Sequence, residues 1–419
     1  MNLAWISLFA LAIAVVGGIV MRLNVGLLSF ALAYLVGVGL GDMRPGEVTS
    51  GFPTSLFLVL TAVMLLFAQA RVNGTLSKLA HRSVRLARGN VGMVPIVFFG
   101  LTLAVATLGG GNIAAAALIA PVAMAAAGGL RISAFLMVIM VGNGANAGAY
   151  SPIAPTGIVA NELMAQAGLE GVEWLTFWNT LIAQSFVAFA GYLLLGGLQL
   201  LRSGRSVDEG ALHIDPEDLE PLTRAQWITV LVTVGLLGSI IFLGVDIVVG
   251  AFVATAVLLV ARVSDEEAAI AAVPWGTILM ICGVSTLVSV LAATGGVDVI
   301  VDGLVAISTP TSVTGMVALV AGLISAYSST VGVVLPTFLP TVPGLAERLG
   351  ADALAIASSI NVGGHLVDVS PLSTIGALCV AAASPLSGNR RVLFNKVLAW
   401  GLSMSVVGAV VCWVFFGLL

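Results

Sequence analysis

The chain has 419 residues, of which 59% are hydrophobic and 9% charged, with 49 glycines and a formal net charge of −4; its mean hydropathy is +1.13. Ordinary soluble domains carry about 25% charged residues, so this balance excludes a soluble globular protein. Apolar runs of about 20 residues recur along almost the whole length, which is the pattern of an all-α polytopic membrane protein.

The first run, Leu3 to Val20, has no preceding basic residue, since Arg22 comes after it. It reads as a mature first helix with its N-terminus outside, not as a cleaved signal peptide. Further membrane helices are predicted at 24–41 and 54–71, completing a first scaffold over 1–71. An arm over 74–88 follows, whose basic stretch at 75–88 (Lys78, His81, Arg82, Arg85, Arg88) reads as an interfacial helix. Apolar stretches at 90–106 and 113–127 flank the tip Thr107–Asn112, and form a helical hairpin. A helix from 131 to about 167 is predicted to break over Asn143–Pro152, so hairpin and broken helix occupy 90–167. A helix at 174–200 closes a first repeat over 1–200, and 201–223 is the hydrophilic connector.

The same order returns over 224–419. Helices are predicted at 225–243, 247–262 and 275–293, a second scaffold over 225–293, with an arm at 296–306. Stretches at 311–326 and 333–346 flank the tip Tyr327–Thr330, a second break falls at Asn361–Pro371, and this hairpin and broken helix occupy 311–385. A last helix spans 393–417. A shift of 219 places Pro121 on Pro340, Ser151-Pro152 on Ser370-Pro371 and Gly157 on Gly376, and a shift of 221 places Pro53 on Pro274 and Gly74 on Gly295. Cys282, Cys379 and Cys412 all lie in apolar runs and read as small core residues.

With each hairpin returning to its own side, whether re-entrant or fully spanning, the chain crosses ten times, five per half. Fourteen of the 16 Lys and Arg residues then fall on one side, with Arg44 and Arg348 on the other. That bias makes the first side cytoplasmic and puts both termini outside, periplasmic if the chain sits in a bacterial inner membrane. Five crossings per half make the two repeats inverted, as in many secondary transporters.

Polar residues gather at the tips and breaks, where helix ends offer unpaired N–H groups and carbonyls. The first half supplies Thr107, Gly109, Gly110, Gly111, Asn112, Asn143, Asn146, Ser151, Pro152 and Thr156. The second supplies Ser328, Ser329, Thr330, Asn361, His365, Asp368, Ser370, Pro371, Ser373 and Thr374. Pro152 and Pro371 are expected where each second half-helix restarts. Hydroxyl, amide and carbonyl oxygens suit a hard cation such as sodium, and the same donors suit a carboxylate. Gly109–Gly111 also suits close helix packing, the asparagines an unwound backbone, and His365 the core. Asp368 is harder to explain without function, because an intramembrane carboxylate is costly unless paired, protonated or ion-bound.

The stretches Asn24-Val25-Gly26-Leu27-Leu28, Gly51-Phe52-Pro53-Thr54-Ser55-Leu56-Phe57 and Val72-Asn73-Gly74-Thr75-Leu76 resemble the N-terminal region of the bacterial malonate/dicarboxylate carrier (MatC-type) family. The whole architecture resembles the divalent-anion:sodium symporter fold of the ion-transporter superfamily, whose hairpin tips carry Ser-Asn-Thr. Ser328-Ser329-Thr330 is a close variant; Gly109-Gly110-Gly111-Asn112 departs from it. The resemblance implies a homodimer with an elevator mechanism, sodium-coupled symport of a small carboxylate dianion, and one ion between each tip and its partner break. Gly110, Gly111, Asn112, Ser151, Thr156, Ser328, Ser329, Thr330, Ser373 and Thr374 are then the substrate-binding candidates. Thr107, Gly109, Asn143, Asn146, Pro152, Asn361, Asp368, Ser370 and Pro371 are the ion-binding ones.

Proton-coupled carboxylate transport, or oxyanion or cation/proton antiport, is the alternative that Asp368 and His365 keep open. An intramembrane enzyme is the reading from another class, but the chain has neither a His-Glu-x-x-His nor a Gly-x-Gly-Asp motif. No catalytic residue, resident cofactor or nucleic-acid partner is expected.

Overall fold

The computed structural model describes residues 2–21, 23–76, 78, 90–204, 220–243, 245–383 and 389–418, which form helices with no strand among them. Most of the basic arm and residues 205–219 of the connector lie outside the described residues. In chain order α1 is Leu3–Met21, α2 Val25–Gly37 and α3 Thr54–Val72. A hairpin follows: α4 (Met93–Val105), the tip Ala106–Gly110 and α5 (Gly111–Gly129). The first broken helix is α6 (Ala134–Ala149) and α7 (Pro155–Gln166), closed by α8 (Glu173–Leu194).

The second half has α9 (Arg224–Leu243), α10 (Ile247–Val260), α11 (Trp275–Ala293) and α12 (Gly296–Ala306). Its hairpin is α13 (Val313–Ser325) and an irregular limb, α14 (Thr330–Leu349). Its broken helix is α15 (Ala353–Leu366), a 3₁₀ turn at Val367–Val369, and α16 (Thr374–Ala381), closed by α17 (Arg390–Cys412). Two short helices not expected from sequence, Pro45–Ser50 and Glu266–Ala272, precede α3 and α11.

Local chemistry recurs between the two halves. Asn24 caps α2 by accepting from Gly26 and Leu27 amides, and Asp246 caps α10 through Val248 and Val249. Pro53 and Pro274 start α3 and α11, which end at Gly74 and Gly295 with φ of 75° and 79°. At the first break the amides of Ser151, Ala154 and Ile158 donate to the carbonyls of Gly148, Ser151 and Ala154. At the second, Ser370, Ser373 and Ala377 donate to Val367, Ser370 and Ser373, each pair shifted by 219. Both turns need a glycine: a Cβ on Gly157 would lie 2.0 Å from the Ser151 carbonyl oxygen, and one on Gly376 would lie 2.2 Å from that of Ser370. Likewise Gly144 lies against Phe99 and Gly363 against Ala318, so each pre-break helix packs closely on its own hairpin.

The halves interlock by exchanging partners. Asn24 Nδ2 of α2 donates to the Gly276 carbonyl of α11 at 2.7 Å, while Gln69 Nε2 of α3 donates to the Thr255 carbonyl of α10 at 3.4 Å. Apolar side chains of α7 join a core with hairpin α13–α14, while those of α16 join the core around α4–α6. Among the described residues, no hydrogen bond joins α1–α3 or α9–α11 to the hairpins and broken helices; that seam is apolar.

Among the described residues, seven helical segments are long and apolar enough to cross a membrane, including Thr54–Val72, Glu173–Leu194 and Trp275–Ala293. Large apolar side chains such as Phe9, Ile182, Leu194 and Val260 are exposed on the outside. A water-soluble surface would not tolerate such coverage, and the chain is a multi-pass membrane protein.

The breaks are shorter than the sequence suggests. Helix α6 runs on through Asn143 and Asn146 to Ala149, and α15 through Asn361 and His365 to Leu366. The second half-helices restart at Pro155 and Thr374, so Pro152 and Pro371 sit inside the turns and not at the restarts. All residues of α6 except Phe135 are buried. The small residues that read as breakers therefore serve close packing.

Candidate functional site

Four helices begin at one place. The N-termini of α5, α7, α14 and α16 border a cavity of about 350 Å³ through Gly110 to Ala114, Pro155-Thr156, Ser329 to Val331 and Ser373-Thr374. At α7 and α16 no side chain caps the first turn, and at α5 the Asn112 side chain takes the Ile113 amide at 3.0 Å, so the other first-turn N–H groups remain for a ligand. At α14 Ser329 Oγ accepts from the Gly332 amide at 3.1 Å. The first tip turns on Gly109 and Gly111, with φ of 105° and 74°, which only glycine adopts freely. The remaining wall comes from α3 (Met64, Phe67, Ala68, Arg71) and α11 (Thr277, Met280, Ile281).

One carboxylate, that of Asp368, also lines this cavity. Its Oδ1 lies 2.9 Å from Thr330 Oγ1, 3.2 Å from Ser325 Oγ and 3.2 Å from Ser373 Oγ. Thr330 Oγ1 is in turn 2.5 Å from Ser325 Oγ and 3.3 Å from the Gly364 carbonyl. Ser325 and Thr330 have one hydroxyl proton each, yet they make four oxygen–oxygen contacts among themselves, Asp368 and Gly364. The cluster holds more lone pairs than protons, an arrangement that a hard cation satisfies.

The first half has no equivalent charge. Asn112 Nδ2 donates to Asn146 Oδ1 at 3.0 Å, and Asn146 Nδ2 donates to the His365 carbonyl at 3.1 Å. Tyr150, in the first break, places its hydroxyl 2.8 Å from His365 Nδ1 and 3.2 Å from the Asn361 carbonyl. His365 Nε2 lies 3.7 Å from Asp368 Oδ2. A polar chain thus runs Asn112–Asn146–His365–Asp368–Thr330, from one tip to the other through both pre-break helices.

Of the substrate candidates, Gly110, Gly111, Asn112, Thr156, Ser328, Ser329, Thr330, Ser373 and Thr374 line the cavity; Ser151 does not, being packed beneath Gly157. Of the ion candidates, Gly109 and Asp368 line it. Asn143 is fully buried with Nδ2 on the Ile139 carbonyl, and its Oδ1, like Asn361 Oδ1 and Thr107 Oγ1, has no partner. Pro152 and Pro371 lie off the cavity, as does Ser370, which packs against Gly401. Tyr150 and Arg71 were not foreseen. Tyr150 follows the Asn-rich stretch and meets His365 only across 215 residues, and Arg71 reads in sequence as one more cytoplasmic charge. Among the described residues, neither ring nitrogen of His365 is hydrogen-bonded to a serine hydroxyl.

A site between paired hairpins and broken helices inside an apolar bundle is built like that of a membrane transporter. The comparisons agree. Residues 1–149 match the family model described as the dicarboxylate carrier protein MatC N-terminus, which shows over that region the resemblance carried by the N-terminal motifs. Among solved structures, the chain is similar to the YdaH transporter of Alcanivorax borkumensis, whose topology is described as unusual. Identity is 17% and the TM-score 0.59, over 89% of this chain and 87% of that one. It is also similar to MtrF of Neisseria gonorrhoeae, described with a class of antimetabolite efflux pumps, at 13% identity and a TM-score of 0.56, over 89% of this chain and 83% of that one. At these identities the likeness is one of fold. No curated protein sequence matches.

Proposed function

We propose that the chain is a sodium-coupled symporter of a small dicarboxylate such as malonate or a C4 acid, built from two inverted repeats and working by an elevator motion as a homodimer in a bacterial inner membrane, both termini outside. The observation that carries this reading is the convergence of four helix N-termini on one cavity. Each end supplies about half a positive charge, so four sum to roughly two, the charge of a dicarboxylate. The volume of about 350 Å³ is at the small end for ligand pockets and fits a small acid.

Asp368 supports cation coupling. An anionic oxygen held roughly 6 Å from a bare carboxylate at an effective dielectric of about 20 is repelled by about 3 kcal/mol, and a cation in the Ser325–Thr330–Asp368 cluster removes that repulsion. The exchanged contacts support inversion: Tyr150 meets Asn361 while Gly142 meets Val369, and a shift of 219 turns one pair into the other, as a two-fold relation demands. The apolar seam between scaffold and hairpins suits a sliding body.

The test is uptake of labelled malonate and succinate into proteoliposomes with sodium and proton gradients imposed separately. Uptake driven by inward sodium is the expected result. Uptake that ignores sodium and follows pH would reject sodium coupling in favour of the second reading, proton coupling, for which the Tyr150–His365–Asp368 contacts are the specific support.

A further inference from the structure

We infer that Arg71 is a specificity-determining contact for the second carboxylate of the substrate, made at the cavity mouth; this rests on the dicarboxylate reading above. Among the described residues that line the cavity Arg71 is the only basic one. It stands on the same face of α3 as Met64, Phe67 and Ala68, at the helical spacing that keeps side chains in one row. Phe67, one turn earlier, is where the first tip touches α3, since a Cβ on Gly109 would lie 2.4 Å from its ring. Arg71 therefore sits about one turn beyond that contact, and it is exposed where Phe67 is not.

Its orientation is set by the protein. Nη2 donates to the Ala272 carbonyl at 2.7 Å, at the end of the short helix Glu266–Ala272 that packs against α3, and Ala272 and Pro274 line the same cavity. A guanidinium has five donors in a planar fork, so one bond to Ala272 fixes the plane and leaves a paired N–H edge for a carboxylate. With one carboxylate of a substrate on the helix N-termini, the other extends toward the mouth, where Arg71 meets it. A cytoplasmic charge at a helix end need not line the cavity, whereas this guanidinium is held at its rim beside Ala272 and Pro274.

The test compares malonate with its monomethyl ester, the same skeleton with one charge fewer, by thermal shift and calorimetry on the purified full chain in sodium. Wild type is expected to prefer the diacid by tenfold or more. Arg71→Gln should lose at least fivefold of that preference while ester affinity changes less than twofold, and Arg71→Lys should fall between. Undiminished preference for the diacid in Arg71→Gln overturns the inference and leaves the transporter reading standing. A wild type that binds neither ligand overturns the dicarboxylate reading and this inference with it. Melting temperature without ligand, unchanged in Arg71→Lys, separates a binding effect from a folding one.

Discussion

Thr330 offers the sharpest test of the cation cluster. Its Oγ1 lies within 3.3 Å of three other oxygens, those of Ser325, Asp368 and Gly364. Thr330→Val keeps the shape of the side chain and deletes that oxygen. A hydrogen bond or ligand contact to a charged partner contributes about 1.5–3 kcal/mol, which is roughly a tenfold to 150-fold change in affinity. Sodium affinity should fall by that factor, read as the midpoint of sodium-dependent stabilisation in a choline background. Thr330→Ser, which keeps the oxygen, should shift the midpoint less than about threefold. An unchanged midpoint in Thr330→Val would refute the assignment. An equal loss in Thr330→Ser would refute it too, pointing to the Thr330 methyl, which packs closely on Gly364.

Two further outcomes follow from the geometry. Gly157→Ala and Gly376→Ala each put a Cβ within 2.2 Å of a backbone carbonyl oxygen, and should lower the melting temperature in detergent by the equivalent of about 3 kcal/mol or more. Gly303→Ala, with nothing within 4 Å, should leave it unchanged or slightly raised. A double-mutant cycle between Asn112→Ala and Asn146→Ala should give a coupling of about 0.5–2 kcal/mol for their 3.0 Å bond, whereas additive effects would mean that tip and helix are not joined there.

Much of the architecture was legible in the sequence because apolar run lengths and the positions of prolines and glycines report helix boundaries directly. The shifts of 219 and 221 recur in the structure as matching caps, turns and glycine contacts. The breaks were drawn too long. Asn143, Gly144 and Asn146 are weak helix formers in water, but inside a packed bundle Gly144 lets α4 approach, Asn146 finds partners, and the helix continues. Tyr150–His365 and Arg71–Ala272 join residues 215 and 201 positions apart. No local pattern encodes such pairs, and a positive-inside count treats Arg71 as no different from any other loop charge.

The polar chain from Asn112 to Thr330 bears on how one site can serve two tips. The two halves are joined beside it by hydrogen bonds from Asn146 to the His365 carbonyl and between Tyr150 and the His365 ring, whereas the tips meet the scaffold through apolar side chains, Phe67 at Gly109 and Met280 at Gly332. A displacement that kept the hairpins and broken helices together would break none of these polar links. It would exchange one set of apolar contacts for another, at little cost, since methionine and phenylalanine surfaces have no hydrogen-bond register to lose. Under the proposed sodium-coupled symport, a cation beside Asp368 and a dianion at the four N-termini would leave the site close to neutral, whereas a cation alone would leave it positive.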